Sequence, residues 1–434
     1  MLRNKAVHFK LLGIFLVFAH MVCAQQIRVT HIYNRVDLGI DASKIYNYNM
    51  YEQSRWGMGL YANVPVFVNQ RYSLAYQNSV YGELYGGYGT GDHAWKYGGK
   101  LQMRLPRSVT DRFEIAYSKD IEKAGQHTFD EYNLFNTSYN STYFSTTYSD
   151  VQRITAGLRL VPNSRLTISA EARHSEEMLL FNANGLLYPR IHEEDKGFRT
   201  TYNELYISLA AYKTLQAGLL LGTAGNQYSD KISVARLLFQ YRNNLTTKLK
   251  NIVSIYAQAG STFTENTPFS RRFDLSGTAF SNYFFNNTFA TVRPNSFFAD
   301  AFIQTCIAYH IGKPLWKNQM SAPRPFVQLN AMWGCLRQSD NGVSHIDLRS
   351  GQNTSLPASG NDPEIISVSS PNYGVLEPAV GINGLLHWNM IDVGVAAACQ
   401  WTPGKAPYHR NNFFGTFCVM LSAVFEIKYG TQIK

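Results

Sequence analysis

Residues 95–104 read Trp95-Lys96-Tyr97-Gly98-Gly99-Lys100-Leu101-Gln102-Met103-Arg104. The odd positions hold large apolar residues and one glycine. The even positions hold Lys, Gly, Gln and Arg. A period of two marks a β-strand with unlike faces, here one fit for hydrocarbon and one for water. The alternation recurs. Ile154, Ala156, Leu158 and Leu160 interleave with Arg153, Thr155 and Arg159. Leu166, Ile168, Ala170 and Ala172 interleave with Arg165, Thr167, Glu171 and Arg173. Ala235, Leu237, Phe239 and Tyr241 oppose Arg236, Gln240 and Arg242, and Val393 to Trp401 alternate with small or polar residues. Runs of 9–11 residues match a tilted strand that crosses a bilayer.

Composition points the same way. The 434 residues include 28 Tyr, 26 Phe and 32 Gly, and only 16% are charged. Soluble domains carry roughly 25% charge. No apolar run approaches the ~20 residues of a membrane helix. The pattern predicts an all-β chain, a single transmembrane antiparallel β-barrel of about sixteen strands, with fourteen as the alternative. The strands are expected near 31–40, 55–64, 72–89, 94–104, 112–120, 151–161, 165–175 and 203–212, then 216–223, 232–241, 251–262, 297–310, 325–336, 372–384, 391–401 and 413–427. Odd-numbered connections (41–54, 90–93, 121–150, 176–202, 224–231, 263–296, 337–371, 402–412) include most of the long ones. Even-numbered ones are mostly short. Long outer loops and short periplasmic turns give that parity. Gly89-Thr90-Gly91-Asp92 and Val161-Pro162-Asn163-Ser164 read as tight reversals, and 337–371 as a surface loop.

Arg3, Lys5 and Lys10 precede an apolar run, Leu11–Cys23, and Val22-Cys23-Ala24 fits a small-x-small cleavage site. Residues 1–24 are therefore expected to be a signal peptide, with Gln25 the first mature residue and 25–434 the barrel. Removal takes three of 40 basic and none of 30 acidic residues, leaving +7. The basic residues are scattered singly, which argues against a nucleic-acid partner. Cys306, Cys335, Cys399 and Cys418 sit in apolar alternating runs with no C-x-x-C, as small hydrophobes rather than metal ligands. The expected location is the outer membrane of a Gram-negative cell, with its lipid and, during biogenesis, the barrel assembly machinery as partners.

The stretch Tyr85-Gly86-Gly87-Tyr88-Gly89-Thr90-Gly91-Asp92-His93-Ala94-Trp95-Lys96-Tyr97-Gly98-Gly99, with Tyr117-Ser118-Lys119-Asp120-Ile121-Glu122 after it, resembles a family of Bacteroidota outer-membrane proteins of unknown function. Phe297–His310 and Leu329–Gly334 resemble that family's closing strands. Such proteins usually carry an N-terminal carboxypeptidase-regulatory-like domain before a barrel similar to bacterial surface antigen, or BamA-type, barrels. The resemblance covers most of residues 31–427. Six residues, Gln25–Thr30, precede the first expected strand, so that N-terminal domain is expected to be missing. The chain end lacks the usual terminal aromatic, with Phe425 or Tyr429 as substitutes.

Catalysis finds little support. His174, Ser175 and Asn203 lie at neighbouring strand ends, but a nucleophile motif is missing. His192-Glu193-Glu194-Asp195 reads as a solvated acidic loop. No phosphate loop opens a helix, and no cofactor or metal is expected. The alternation turns Lys96, Lys100, Arg104, Arg153, Arg159, Arg165, Arg173, Arg236 and Arg242 towards the lumen, with Glu171 and Glu204 as the clear inward acids. This predicts either a positive, anion-favouring channel or basic groups that pair with acids on infolded loops. The 263–296 segment is where BamA-type barrels fold a loop into the lumen. Arg271, Arg272, Asp274, Phe284 and Phe285 are its candidate plug residues, together with Phe280, Tyr283 and Phe289. Folded inward, its arginines would meet Glu171 or Glu204. The first expectation is thus a non-enzymatic barrel, structural or assisting surface assembly, with an occluded lumen. A passive or gated channel is second, and an outer-membrane hydrolase third.

Overall fold

The computed structural model describes residues 36–41, 44–49, 52–66, 78–105, 109–123, 125, 147–181, 199–212, 214–226, 229–275, 283–284, 289–292, 297–318, 320–340, 342–347, 352–354, 365–388, 391–402 and 418–427. The expected signal peptide and the acidic loop at 192–195 lie outside them. The first strands are β1 (Asp37–Asp41), β2 (Tyr46–Asn49), β3 (Gln53–Pro65), β4 (Ser79–Gly89), β5 (Trp95–Arg104), β6 (Thr110–Lys123), β7 (Thr147–Asn163) and β8 (Leu166–Phe181). Then come β9 (Arg199–Ala211), β10 (Leu215–Asn226), β11 (Ser229–Thr246), β12 (Ile252–Thr262), β13 (Phe273–Asp274), β14 (Tyr283–Phe284), β15 (Phe298–Ala299) and β16 (Ala301–His310). The last are β17 (Arg324–Cys335), β18 (Val343–Asp347), β19 (Gln352–Thr354), β20 (Ile365–Ser369), β21 (Val375–Trp388), β22 (Ile391–Gln400) and β23 (Cys418–Ile427).

Pairing is antiparallel and sequential. It runs from β3 through β9, from β9 through β10 to β11, and on through β12, β16, β17, β21 and β22 to β23. Both β1 and β2 pair with β3, as two halves of one interrupted strand. Counted so, the main sheet has sixteen antiparallel strands. The fold class is all-β, of the outer-membrane barrel type. Strands supply this because each backbone donor and acceptor finds its partner across the sheet, which hydrocarbon demands.

The chain divides into two compact units, 1–123 with 145–211 and 220–233, and 124–144 with 212–219 and 234–434. In the first unit, Leu101 is 56% and Met103 44% exposed, whereas Gln102 between them is 3%. Trp56, Met58, Leu60, Leu84, Phe113 and Ile115 extend the exposed apolar face. In the second unit, Phe239, Ile303, Ile307, Val327, Leu329 and Val395 are exposed, while Gln258, Gln328 and Asn330 are buried. Each unit thus shows its apolar face outside and hides its polar face, the reverse of a soluble sheet and the arrangement lipid requires.

Several boundaries differ from the sequence reading. The expected loop 41–54 contains β2, because Tyr46 is buried, stacks edge-on with Trp56 at 4.8 Å, and meets Ser54 Oγ at 3.3 Å. Strand β4 runs over Ser79–Gly89, and positions 72–77 of the expected strand lie outside the described residues. Segment 337–371 is not bare loop: β18 pairs with β19 and β20 in a small sheet. The reversal at 89–94 is as tight as its glycines suggest. Gly91 N–H donates to Glu52 O at 2.7 Å, and a Cβ on Gly89 would lie 2.2 Å from Asp92 Oδ1.

Leu101→Arg on the exposed face should destabilise the protein by about 2–4 kcal/mol if the site lies near the bilayer midplane. Lys100→Gln, on the other face, keeps a donor towards Glu83 and should cost under about 1 kcal/mol. Urea unfolding of the protein folded into vesicles measures both, and equal losses would refute the facing.

Candidate functional site: a loop packed on the polar face

The polar face of the first unit is built from paired charges. Lys96 Nζ lies 2.6 Å from Asp92 Oδ2, and both side chains are buried. Lys100 Nζ meets Glu83 Oε2 at 3.0 Å. Arg153 binds both oxygens of Glu122, at 2.8 and 2.9 Å, and approaches Glu177 at 3.6 Å. Arg159 meets Asp111 at 3.4 Å, and Arg173 meets Glu171 at 2.5 Å. Arg104 lies 3.9 Å over the Tyr81 ring and donates to Gln102 Oε1. Arg165 differs from the other eight: it is exposed in the turn after Asn163, whose Oδ1 accepts its N–H. Ser164 and Arg165 form the hairpin itself, so strand alternation does not orient it.

The acids are more numerous than the sequence reading allowed. Glu83, Asp111, Glu122 and Glu177 join Glu171, all on strands beside their partners. Glu204 lies opposite Arg173 in the β8–β9 register. A further knot joins Arg55 to Glu52 at 2.6 Å and to Asp120 at 2.5 Å, with Tyr85 donating to Asp120. Burial in its turn pushes the Glu52 carboxyl above its ordinary value, against the pull of Arg55. Lys100, Arg153 and Arg159 thus pair with carboxylates on neighbouring strands, and Lys96 and Arg173 with carboxylates close by in their own segments.

In the second unit a loop covers the polar face. Phe273, Leu275, Phe289 and Val292, from the segment after β12, form one buried cluster with Leu238, Phe302, Met332 and Val375 of the sheet. The Phe273 ring packs at a tilt against Phe302, 4.7 Å between centroids, and the Arg236 guanidinium lies 4.7 Å over Phe273. Two strand glycines make room. A Cβ on Gly260 would come within 2.6 Å of Phe273, and one on Gly334 within 2.8 Å of Leu275. Such close approach is a recognised use of glycine inside a strand. Backbone pairing of β13 with β15 holds the two limbs of the loop together.

Glu377 on β21 anchors the loop. It is fully buried. Its carboxylate accepts from Ala290 N at 2.9 Å, Thr291 N at 2.7 Å, Thr291 Oγ1 at 2.5 Å and Asn330 Nδ2 at 3.0 Å. A buried acceptor left without such donors would cost about 1–3 kcal/mol, so the four contacts tie the loop to this side chain. Arg272, also fully buried, places Nε 3.4 Å from Asp300 Oδ1, while Asp300 Oδ2 accepts from Arg337 N. Burial holds the Arg272 guanidinium below its ordinary value, against the pull of Asp300.

Of the plug candidates, Arg271, Arg272 and Asp274 are buried. Phe284 enters through its backbone, since β14 pairs in parallel with Ala423 and Val424 of β23. Phe285 lies outside the described residues. Asp300, which the sequence reading did not name, is an ion-pair partner of Arg272. A carboxylate near in sequence on the loop's own return limb needs less chain ordering than one on a distant strand. Glu377, Asp300 and Asn330 were missed, because a single acid or amide in an alternating run carries no signal of its partner. Gly260 and Gly334 were visible as strand glycines.

The possible catalytic trio comes apart. His174 Nδ1 lies 2.8 Å from Asn203 Oδ1, and both are exposed. Ser175 is fully buried and donates to Glu177 at 3.0 Å. Adjacent strand residues point to opposite faces, so this serine and histidine cannot act as nucleophile and base.

No family model and no curated protein matches the chain. Solved structures similar to it include CdiB from Acinetobacter baumannii, at 10% identity and TM-score 0.40, over 85% of this chain and 56% of that one. BamA from Haemophilus ducreyi lacking POTRA domains 1–3 is similar at 9% identity and TM-score 0.46, over 91% of this chain and 70% of that one. The outer membrane channel DcaP of Acinetobacter baumannii is similar at 10% identity and TM-score 0.38, over 92% and 98%. The chain spans little more than half the length of that CdiB chain. All three neighbours are outer-membrane β-barrel proteins.

Glu377→Ala leaves the Ala290 and Thr291 amides buried without their acceptor and should weaken the loop's anchorage by roughly 3 kcal/mol. Trypsin should then cut at Arg271 and Arg272 in the folded variant while sparing both bonds in the wild type. Equal resistance in the two proteins would remove Glu377 from its anchoring role.

Proposed function

We propose that the chain is a non-enzymatic outer-membrane barrel, structural or assisting surface assembly, whose lumen is occluded by the 263–296 loop. It would be a member of the Bacteroidota family that its 85–99 hairpin resembles, inserted by the barrel assembly machinery. The observation that carries the reading is the Glu377 anchor to Ala290 and Thr291. The polar face that it ties down is the face a closed barrel turns to its lumen. Exposed apolar residues on the opposite face support the membrane setting.

The anion-favouring channel is the weaker reading. Lys96, Lys100, Arg153, Arg159 and Arg173 each have a carboxylate within 3.6 Å, which cancels much of the field that would favour anions. Separation of His174 from Ser175 counts against a hydrolase of the lipase type.

Planar-bilayer recording tests occlusion. Wild-type protein should conduct poorly, and deletion of residues 270–290 should raise its conductance sharply. General-porin conductance in the wild type would overturn the plug and favour the channel.

A further inference from the structure

We propose that two adjoining turns of the second unit form a docking surface for anionic phospholipid headgroups of the periplasmic leaflet, a proposal that rests on the membrane-barrel reading above. The turns are 247–251, between β11 and β12, and 311–323, between β16 and β17. Because β12 pairs with β16 from Ile252–His310 onward, the turns are neighbours. Asn251 ties them together. Its Oδ1 accepts from Gly312 N at 2.9 Å, and its Nδ2 donates to Tyr309 Oη at 2.5 Å. Gly312 passes so close to the Lys250 carbonyl that a Cβ there would clash.

The surface is both basic and apolar. Lys248, Lys250, Lys313 and Lys317 are all exposed, and the two turns contain no Asp or Glu. Among the described residues, none of the four lysines has an ion-pair partner, unlike the five paired cations of the polar face. Between them stand Leu249, Leu315, Trp316 and Met320, each at least 51% exposed. Trp316 keeps its indole N–H towards Ser321 Oγ at 3.2 Å, so the ring's apolar body stays outward. Lysines that flank a tryptophan at the end of a membrane strand match a phosphate layer above hydrocarbon. A soluble rim would gain nothing from four exposed apolar side chains. The parity of connections places these short turns at the periplasmic end, where the facing lipid is phospholipid and not lipid A. Each lysine near an anionic surface strengthens attraction by about fivefold at moderate salt.

The test counts lipids that remain on the full chain, released from nanodiscs of phosphatidylcholine and phosphatidylglycerol, by native mass spectrometry. Wild-type protein should retain phosphatidylglycerol several-fold above its share of the mixture. The combined variant Lys248→Gln, Lys250→Gln, Lys313→Gln, Lys317→Gln should insert normally yet retain the two lipids in the bulk ratio. Trp316→Ala should lower total lipid retained without restoring neutrality of choice. Normal insertion with no preference for phosphatidylglycerol in the wild type overturns the docking surface and leaves the barrel reading intact. Undiminished preference in the lysine variant overturns it as well. In a second set of nanodiscs that also contain lipid A, retention of lipid A that exceeds phosphatidylglycerol and vanishes in the lysine variant overturns the periplasmic assignment. Failure of the wild type to insert into either bilayer overturns the barrel reading, and this inference with it.

Discussion

A carboxylate that has left water must find donors, and Glu377 takes three of its four from one loop and its neighbouring strand from the other. Removal of those donors would leave buried acceptor oxygens unsatisfied, at a cost of about 1–3 kcal/mol each. The loop is therefore part of the sheet's polar face in the second unit and not an appendage to it. Its apolar residues follow from the same placement. Once Ala290 and Thr291 are fixed, Phe289 and Val292 beside them are carried into the cluster around Phe302 and Met332. Gly260 and Gly334 then have to be small, since Phe273 and Leu275 occupy the space where their side chains would go.

A different economy governs the first unit. There the polar face is closed by ladders of opposite charge on neighbouring strands, and aromatic rings cover what carboxylates do not reach. Tyr81 serves two partners, donating to Glu83 and lying under Arg104. Pairs of this kind are specific because a one-residue slip in register would turn every partner to the lipid side. The strand register and the charge pattern thus enforce each other.

The main sheet was legible because its period of two survives any loop length. Leu101 and Met103 show it on one face and Gln102 on the other. The expected strand at 216–223 exists as β10. What failed to show was of three kinds. β2 was read as loop, because its four residues, Tyr46–Asn49, are too few to display the alternation. The β18–β20 sheet lies among turn residues whose composition reads as loop. Long-range partners stayed hidden because sequence alternation orients a side chain without naming what it meets. Arg272 was named as a residue of the 263–296 segment, but its ion-pair partner Asp300 was not. The acids of β4, β6 and β8 were undercounted, since shorter or glycine-rich alternations leave the phase of a strand open.

Hydrogen exchange at the Ala290 and Thr291 amides tests the Glu377 anchor most directly. Both lie in a segment without strand pairing, where an unanchored loop amide exchanges at the rate of an open chain. The expected result is protection comparable to the amides of β17, lost at both positions in Glu377→Ala. Exchange of Ala290 and Thr291 in the wild type at the rate of an unprotected loop would contradict the account.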